Sequence, residues 1–368
     1  MPPFSLPLAA VTTVALLATA APSVGASAPA HPARAAHPTG AARPAKAASA
    51  ARWQSGELVR NRIPAGYDPA KTDWGLTVDT LIALAADGHH PRRVVKVTRV
   101  LAHHVPAYTG RGSERYSGAS AKLLLAAKIA RRDVRSFRGH NLRRRVLALV
   151  SDAGRLRDQS KYGDFSNVFG QSYGVLGLAR TGGVPDQVVH YLLRQRCTAG
   201  YFRIEEGATT CTTASGAPDV DATALALQAM ITATAHGARV PGRLVRGTVA
   251  WLVRHQRDSG GFTGGAGTAG VNANSTGLAA QALAATRRAP ALARAQAFLA
   301  RLQLTRSRVA GTPAHGEVGA IAYDRAALRD ALAHGISDSG RDQFRRSTAQ
   351  ALLGFAAKPL GTLLAPRP

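Results

Sequence analysis

Aromatic residues are scarce in this chain of 368 residues, at 5 % of the sequence, whereas 45 % of the residues are hydrophobic. The core must therefore be filled mainly by alanine, leucine and valine. Few aromatic rings are available to line a site that would stabilise a carbocation by cation–π contact. No basic stretch is interleaved with aromatic side chains on which nucleic-acid bases could stack. We therefore expect no nucleic-acid partner.

Cysteine is limited to Cys197 and Cys211, and neither a CxxC nor an HExxH motif occurs. Zinc sites need more cysteine and histidine ligands than these two residues provide. A cysteine pair within one short loop of an exported protein predicts a disulfide instead. The sequence thus predicts no metal and no cofactor.

Long apolar runs are also lacking, so nothing in the sequence predicts a membrane-spanning helix. Leu8 to Ala21 is short and is followed by small residues, which is typical of a signal peptide over residues 1–26, although no Lys or Arg precedes it. Residues 27–51, rich in Ala, Pro and His, predict a disordered linker. Residues 52–368 form the predicted folded domain, which we expect on the extracellular side of the cell envelope or released from it.

Acidic residues number only 21 against 47 basic residues, for a formal net charge of +26. Such a charge favours contact with anionic surfaces, including polymers of a cell envelope. The predominance of Arg over Lys also fits the codon choice of a GC-rich genome, so the charge alone does not define a partner. A small amphipathic molecule and an anionic envelope polymer both remain candidate partners.

A pattern of two helices recurs along the chain. In its clearest copy, residues 219–262, a polar cap precedes a helix over 224–235 that is apolar nearly all round. A turn with Gly237 and Pro241 follows, and the next helix carries its apolar residues on one face, with the period of an amphipathic helix. The pattern predicts a fully buried inner helix and a half-buried outer helix in each repeat.

The other copies are predicted at 79–86 with 94–101, 120–130 with 142–150, 172–180 with 184–193, 277–286 with 292–302, and 320–333 with 342–356. The register of the last copy stays open, because residues 347–352 resemble an inner helix. Two concentric rings satisfy both helix types, although an open solenoid would also bury such hairpins. The sequence therefore predicts an all-α fold of six helical hairpins.

Two short motifs resemble those of a known superfamily. Residues 256–262, QRDSGGF, resemble the QxxxGG(F/W) turn of the squalene cyclase and protein prenyltransferase repeats, and residues 195–202 are a looser copy. Residues 221–229, DATALALQA, and 275–283, STGLAAQAL, resemble the inner helices of these repeats. The resemblance covers most of residues 73–357 and implies an α/α toroid of the terpenoid cyclase kind. Cobalamin carriers have a similar ring architecture, so the fold does not imply catalysis.

Asp219 and Asp221 are the candidate acid residues. Class II terpenoid cyclases protonate an alkene with a DxDD motif, and the segment Asp219-Val220-Asp221-Ala222 lacks the final Asp. Both carboxylates also stand where N-cap residues accept free backbone N–H groups. Protein prenyltransferases bind zinc through Asp, Cys and His, but neither cysteine of this chain lies in a matching motif.

Ser172 lies within GQSYG, residues 170–174, and so matches the GxSxG motif of serine hydrolases. A nucleophile elbow requires a strand before this serine, and no βαβ pattern is present. The repeat register places Ser172 at the start of an inner helix. Two histidine pairs, His89-His90 and His103-His104, lack a carboxylate at a spacing that would complete a metal site.

The starts of the inner helices are expected to surround one mouth of a central cavity. The resulting rim consists of Asp79, Ser120, Ser172, Asp221 and Ser275. A polar rim over an apolar funnel suits an amphipathic ligand, whereas five capped helices over a filled centre would give the same pattern. The sequence favours a non-catalytic ligand-binding domain, with a divergent class II terpenoid cyclase or prenyl-handling enzyme and a serine hydrolase as alternatives.

Overall fold

The computed structural model describes residues 42–207, 211, 217–265, 268 and 270–367. The predicted signal peptide and residues 27–41 of the predicted linker lie outside the described residues. The elements follow in the order α1 (Ala42–Gly56), β1 (Pro64–Ala65), β2 (Asp68–Thr72), α2 (Trp74–Asp87), α3 (Pro91–His103), α4 (Val105–Thr109), α5 (Ser117–Ile129), α6 (Leu142–Leu147), α7 (Val168–Ala179), α8 (Asp186–Arg194), α9 (Val220–Ala235), α10 (Gly242–Arg254), β3 (Phe262–Thr263), β4 (Val271–Asn272), α11 (Ala273–Ala285), α12 (Ala289–Leu302), α13 (Arg306–Val309), α14 (Arg325–His334) and α15 (Asp338–Ala356).

Six helices form a closed inner ring. Helices α2, α5, α7, α9, α11 and α15 contact one another in that order, and α15 returns to α2. They are buried on all sides over most of their length, although α15 has no buried residue before Phe344; in α9, every residue from Ala222 to Met230 is buried. Removing alanine and leucine side chains from water contributes about 25 cal/mol per Å² of apolar surface, so a helix without a polar face is stable only in such a position. The closed ring excludes the open solenoid.

The outer ring consists of helices that bury a single face. In α8, for instance, Val188, Val189 and Leu192 are buried whereas Asp186 and Gln187 face solvent. Helices α3, α6, α8, α10 and α12 each pack on the inner helix that precedes them in the chain. The sixth outer helix is α1, which contacts both α15 and α2.

The prediction of disorder over residues 27–51 is therefore wrong for residues 42–51. This segment is helical, and Ala50 and Ala51 are completely buried. Alanine has the highest helix propensity, and its small side chain lets the backbone of α1 pack closely against α15. The open register of the last repeat is also settled, because α15 is an inner helix and its outer partner comes from the N-terminal side of the chain.

Four inner helices have a common hydrogen-bonded joint to the segment before them. A threonine, which lies in the first turn of α2, α9 and α11 but in the middle of α15, accepts a hydrogen bond, at 2.9–3.0 Å, from the main-chain N–H of a buried residue in the preceding segment. The pairs are Ile63 with Thr77, Phe202 with Thr223, Phe262 with Thr276, and Ile321 with Thr348. Each joint satisfies a buried N–H group that would otherwise destabilise the fold.

Helices α11 and α15 approach each other closely at Gly277. A Cβ atom at this position would lie 2.3 Å from the carbonyl oxygen of Gln350, much closer than two such atoms can come. Gly354 faces Gly277 from α15, with the Cα of Gly277 only 3.1 Å from the position of a Cβ on Gly354. The absence of side chains at these two sites thus sets the spacing of the inner ring here.

The last described residues, 358–367, run across the ends of the inner helices, and we call them the C-terminal tail. Arg180 at the end of α7 donates to the carbonyl oxygens of Leu360 and Leu363. Gln228 of α9 accepts a hydrogen bond from the Leu360 N–H, and Gln281 of α11 donates to the Lys358 carbonyl. The tail therefore closes the ring on the side where the inner helices end.

Candidate functional site

A cavity of about 340 Å³ lies inside the inner ring. Its walls come from α2, α5, α7, α11 and α15, together with Tyr108 of α4, and Leu360 of the C-terminal tail also lines it. Apolar contact surface is provided by Ile82, Leu278 and Leu353. The cavity is thus the meeting point of helices that are far apart in the sequence.

An ion pair stands in the wall of this cavity. The ammonium group of Lys122 on α5 lies 2.6 Å from the Asp79 carboxylate on α2, and both side chains are mostly buried. Burial disfavours the ammonium form, but the attraction of Asp79 outweighs it, so the pKa of Lys122 is raised overall. Lys122 therefore stays charged at neutral pH and retains N–H groups beyond the one that Asp79 accepts.

Two tyrosines stand beside this pair. The ammonium of Lys122 lies 5.7 Å from the centre of the Tyr173 ring on α7, within the range of a cation–π contact. Burial raises the pKa of Tyr173 to about 12, and it raises the pKa of Tyr108 as well. Both phenols are therefore neutral at pH 7 and can donate hydrogen bonds into the cavity.

Of the five rim residues predicted from the sequence, Asp79 lines the cavity. Ser120 and Ser172 are buried inside α5 and α7, and their Oγ atoms have no hydrogen-bond partner among the described residues. Ser275 is buried in the first turn of α11. The N-caps of the inner helices stand earlier in the chain than the predicted rim, at positions occupied by Asp73, Asn167, Asp219 and Asn272 in α2, α7, α9 and α11.

Asp219 and Asp221 form a second group of buried carboxylates, at the start of α9. Asp219 accepts a hydrogen bond from the Ala222 N–H at 2.8 Å, which confirms its role as an N-cap, while Asp221 lies in the first turn. Burial raises the pKa of Asp221 to about 7; the Asp219 carboxylate adds to the shift and the Ser275 hydroxyl opposes it. Neither carboxylate belongs to the residues that line the central cavity.

No family model and no curated protein matches this sequence, but the structure is similar to solved structures. A protein from Actinoplanes is 16 % identical, with a TM-score of 0.55 over 84 % of this chain and 99 % of that one. The type II terpene cyclase MstE from Scytonema is 13 % identical, with a TM-score of 0.54 over 86 % of this chain and 99 % of that one. Unsaturated glucuronyl hydrolase from Bacillus sp. GL1 is 12 % identical, with a TM-score of 0.53 over 83 % of this chain and 96 % of that one.

The chain has the α/α-toroid fold. The predicted resemblance to terpenoid cyclases is therefore confirmed at the level of the fold. Identities this low establish the fold alone, because unrelated activities share it. Function must be argued from the residues of the toroid itself.

Ser172 and the histidine pairs occupy ordinary positions in the toroid. Ser172 follows a loop and the N-cap Asn167, so no strand precedes it as a nucleophile elbow requires. His89 and His90 each contact the Asp87 carboxylate at 3.2 Å, whereas His104 stacks on Trp74 with ring centres 4.7 Å apart. Within the described residues, no group of three His, Cys, Asp or Glu side chains could hold a metal ion.

The disulfide predicted between Cys197 and Cys211 is present, with the two Cα atoms 4.4 Å apart. It closes a loop that contains Glu206, whose carboxylate lies 2.7 Å from Arg155. Burial raises the pKa of Glu206 to about 7 in spite of that ion pair. None of the helices in the part of the chain that the structure describes is long and apolar enough to cross a membrane.

Sequence reasoning missed Lys122, Tyr108 and Tyr173, the polar residues of the cavity wall. One signal was visible: Lys122 stands in α5 between Ala121 and Leu123, inside a helix whose neighbouring positions are all apolar or small. A charged residue on a helix that is buried on all sides needs a partner, and therefore marks a site. Tyr108 carried no such signal, because α4 lies outside the repeat pattern.

Proposed function

We propose that this toroid is an exported, non-catalytic binding domain that takes a small amphipathic molecule into its central cavity. The observation that carries the proposal is the asymmetry of the cavity wall, with the Lys122–Asp79 pair and two tyrosines beside an apolar surface. Ligand sites characteristically combine a mostly apolar lining with a few polar groups that orient the ligand.

The polar groups also indicate the chemistry of the ligand's polar end. Lys122 and the phenols of Tyr108 and Tyr173 supply N–H and O–H donors, while the Asp79 oxygen nearest to Lys122 is already engaged. A carbonyl, hydroxyl or carboxylate group of the ligand would accept these hydrogen bonds. The apolar part of the molecule would then lie against Ile82 and Leu353.

Two features support export. The Cys197–Cys211 disulfide fits an oxidising compartment, and the apolar segment Leu8 to Ala21 is typical of a signal peptide. Mass spectrometry of the chain recovered from cells and from culture medium tests this part of the proposal. Full-length chain retained inside the cell would contradict it.

Binding is tested with 1-anilinonaphthalene-8-sulfonate, an aromatic probe with an anionic end that is fluorescent in apolar sites. We expect the parent to bind the probe, decanoate to displace it, and Lys122→Met to weaken its binding about tenfold, since one charged hydrogen bond is lost. Lys128→Met is the matched control, because Lys128 lies on the same helix but does not line the cavity.

A second variant fills the cavity without changing its charge. Ala119 lines the cavity, so Ala119→Leu should reduce probe binding while circular dichroism shows unchanged helix content. Probe binding that responds equally to the Lys122 and Lys128 variants, or not at all to Ala119→Leu, would place the binding elsewhere and end the proposal. Native mass spectrometry of the parent from its natural source would then identify the retained molecule.

Acid catalysis by Asp221 is the second candidate function. A pKa of about 7 leaves this carboxyl group partly protonated near neutral pH, as a general acid requires. Its position outside the cavity wall and the missing final Asp of the DxDD motif favour the binding function. Conversion of geranylgeranyl diphosphate to a cyclic product, lost in the Asp219→Asn/Asp221→Asn variant, would reverse this preference.

A further inference from the structure

A strongly basic pocket lies on the outer surface and shares no residue with the central cavity. It has a volume of about 390 Å³ and is formed by α6, the loop before it and the segment around Arg115. Arg115, Arg144, Arg145 and His140 line it, and none of its lining residues is acidic. We call it the α6 pocket. Three guanidinium groups around one depression create a positive potential that attracts anions.

The structure holds one of these guanidinium groups in place. Arg145 donates hydrogen bonds of 3.0 Å to the carbonyl oxygens of Thr109 and Gly110. Its Nε is buried and has no hydrogen-bond partner among the described residues. Burial lowers the pKa of Arg145, and the nearby charge of Arg115 lowers it further. A positive charge is thus fixed in the pocket wall without a carboxylate to neutralise it.

Arg144 differs from Arg145 in being free to move onto a ligand. It is exposed, and its side chain has no hydrogen bond or ion pair among the described residues. The planar fork of a guanidinium group matches two oxygens of a tetrahedral oxyanion, and such bidentate pairs are among the strongest hydrogen bonds in proteins. A doubly charged oxyanion uses several guanidinium groups better than a singly charged carboxylate does.

We propose that the α6 pocket binds a phosphate group. A neighbouring depression of about 360 Å³ is lined by Arg99, Arg132 and Arg138, with one acid, Asp133. Arg138 and Gly139 are consecutive and contribute to one pocket each, so the two depressions adjoin. The surface therefore accommodates either a single phosphate group or successive phosphate groups of one chain.

The recognition expected here concerns the phosphate and not a nucleobase. Phe137 is the one Phe, Tyr or Trp side chain in the lining of the two pockets, and it is 4 % exposed, so bases would find no large aromatic ring on which to stack. The proposal is independent of the central cavity, and an empty cavity would leave it standing.

Isothermal titration with inorganic phosphate, at constant ionic strength and with acetate as the comparison anion, tests the site. We expect phosphate to bind more tightly than acetate, and Arg144→Ala to weaken phosphate binding about tenfold. Arg254→Ala is the matched control, because Arg254 is also an exposed helical arginine without an ion pair but lines neither pocket. In this control variant, the affinity for phosphate should change by less than about twofold.

Inorganic polyphosphate separates the two sources of the phosphate group. If the natural ligand is a chain of phosphates, polyphosphate binds more tightly than phosphate, and Arg99→Ala in the second pocket weakens only polyphosphate. If the ligand is a single phosphate group, Arg99→Ala changes neither. Equal losses in the Arg144 and Arg254 variants, with both probes, would show that net charge alone binds anions and would overturn the proposal.

Discussion

The guanidinium group of Arg180 donates hydrogen bonds to the main-chain carbonyl oxygens of Leu360, at 2.6 Å, and Leu363, at 2.7 Å. No acidic side chain in the described part of the chain forms an ion pair with it. Burial lowers the pKa of Arg180 to about 10, which still leaves it charged at neutral pH. A buried cation thus fastens the C-terminal tail across the toroid by two backbone contacts.

Arg180→Ala should lower the free energy of unfolding by about 2–3 kcal/mol, because two buried carbonyl oxygens lose a charged donor. It should also loosen the tail, so that hydrogen exchange of the Leu360 and Leu363 amides becomes faster. Urea unfolding gives the first quantity and mass-detected exchange the second. Arg254→Ala is the control, with a change of less than about 0.5 kcal/mol expected. A tail that remains equally protected in Arg180→Ala would contradict the role given to this residue.

Gly277→Ala should destabilise the toroid by about 2–3 kcal/mol, since the new Cβ would lie 2.3 Å from the Gln350 carbonyl oxygen and would force α11 and α15 apart. Gly56→Ala provides the comparison. Gly56 is the last residue of α1, and a Cβ there would meet nothing within 4 Å. This control should be neutral or slightly stabilising, because alanine favours a helix by about 1 kcal/mol over glycine. Similar effects of both substitutions on the urea midpoint would argue against close helix contact at Gly277.

The carboxyl group of Asp221 makes stability depend on pH. Its pKa is about 7 in the folded chain and 3.8 for an ordinary aspartate, so between these values the folded state keeps a proton that the unfolded state has released. Stability therefore falls as the pH rises from about 4 to about 7. In Asp221→Asn this contribution is absent. The free energy of unfolding of the variant should therefore exceed that of the parent by on the order of 2 kcal/mol at pH 8, but by little at pH 4.

Urea unfolding at both pH values measures the Asp221 effect, with Asp258→Asn as the control for an exposed aspartate. In the control, the difference in the free energy of unfolding between the two pH values should equal that of the parent. Glu206, with a pKa of about 7, contributes a similar slope in all three proteins and cancels in the comparison. An Asp221→Asn variant with the parent's pH dependence would show that this carboxyl group is not shielded from water.

A chain that begins at Ala42 should fold with the stability of the parent, whereas one that begins at Glu57 should be strongly destabilised. The shorter chain lacks α1, and with it Trp53, whose indole N–H donates to Glu317 at 2.7 Å, and Gln54, which donates to Thr80 at 2.8 Å. The buried faces of α15 and α2 become exposed to water. Thermal unfolding by circular dichroism compares the two chains. Equal midpoints would show that α1 does not stabilise the ring.

The architecture was predictable from the sequence because the helical period separates helices buried on all sides from helices buried on one face. Helix α1 was not predictable from the sequence. Its alanines are buried only because they pack against α15, which lies nearly 300 residues further along the chain. Lys122 was visible as a charge within an apolar helix. Its partner Asp79 comes from another repeat, and the sequence pattern does not show that the two side chains are close in the fold. For α7 and α11 the sequence placed the helix starts at Ser172 and Ser275, a few residues too far along the chain. Asn167 and Asn272, which precede them, are the residues that accept the free N–H groups.

Helix α1 also determines when the toroid can close. Glu57, just after α1, contacts Arg341 of α15 at 3.0 Å, and 284 positions separate the two residues. During synthesis α1 emerges before the other helices of the ring and α15 emerges after them, so the ring stays open between α11 and α2 until α15 has been made. Contacts between such distant segments form slowly, and apolar faces stay exposed until they do. Ring closure is therefore the last step in assembling the toroid, because it needs contacts of α15 with α1 and α2.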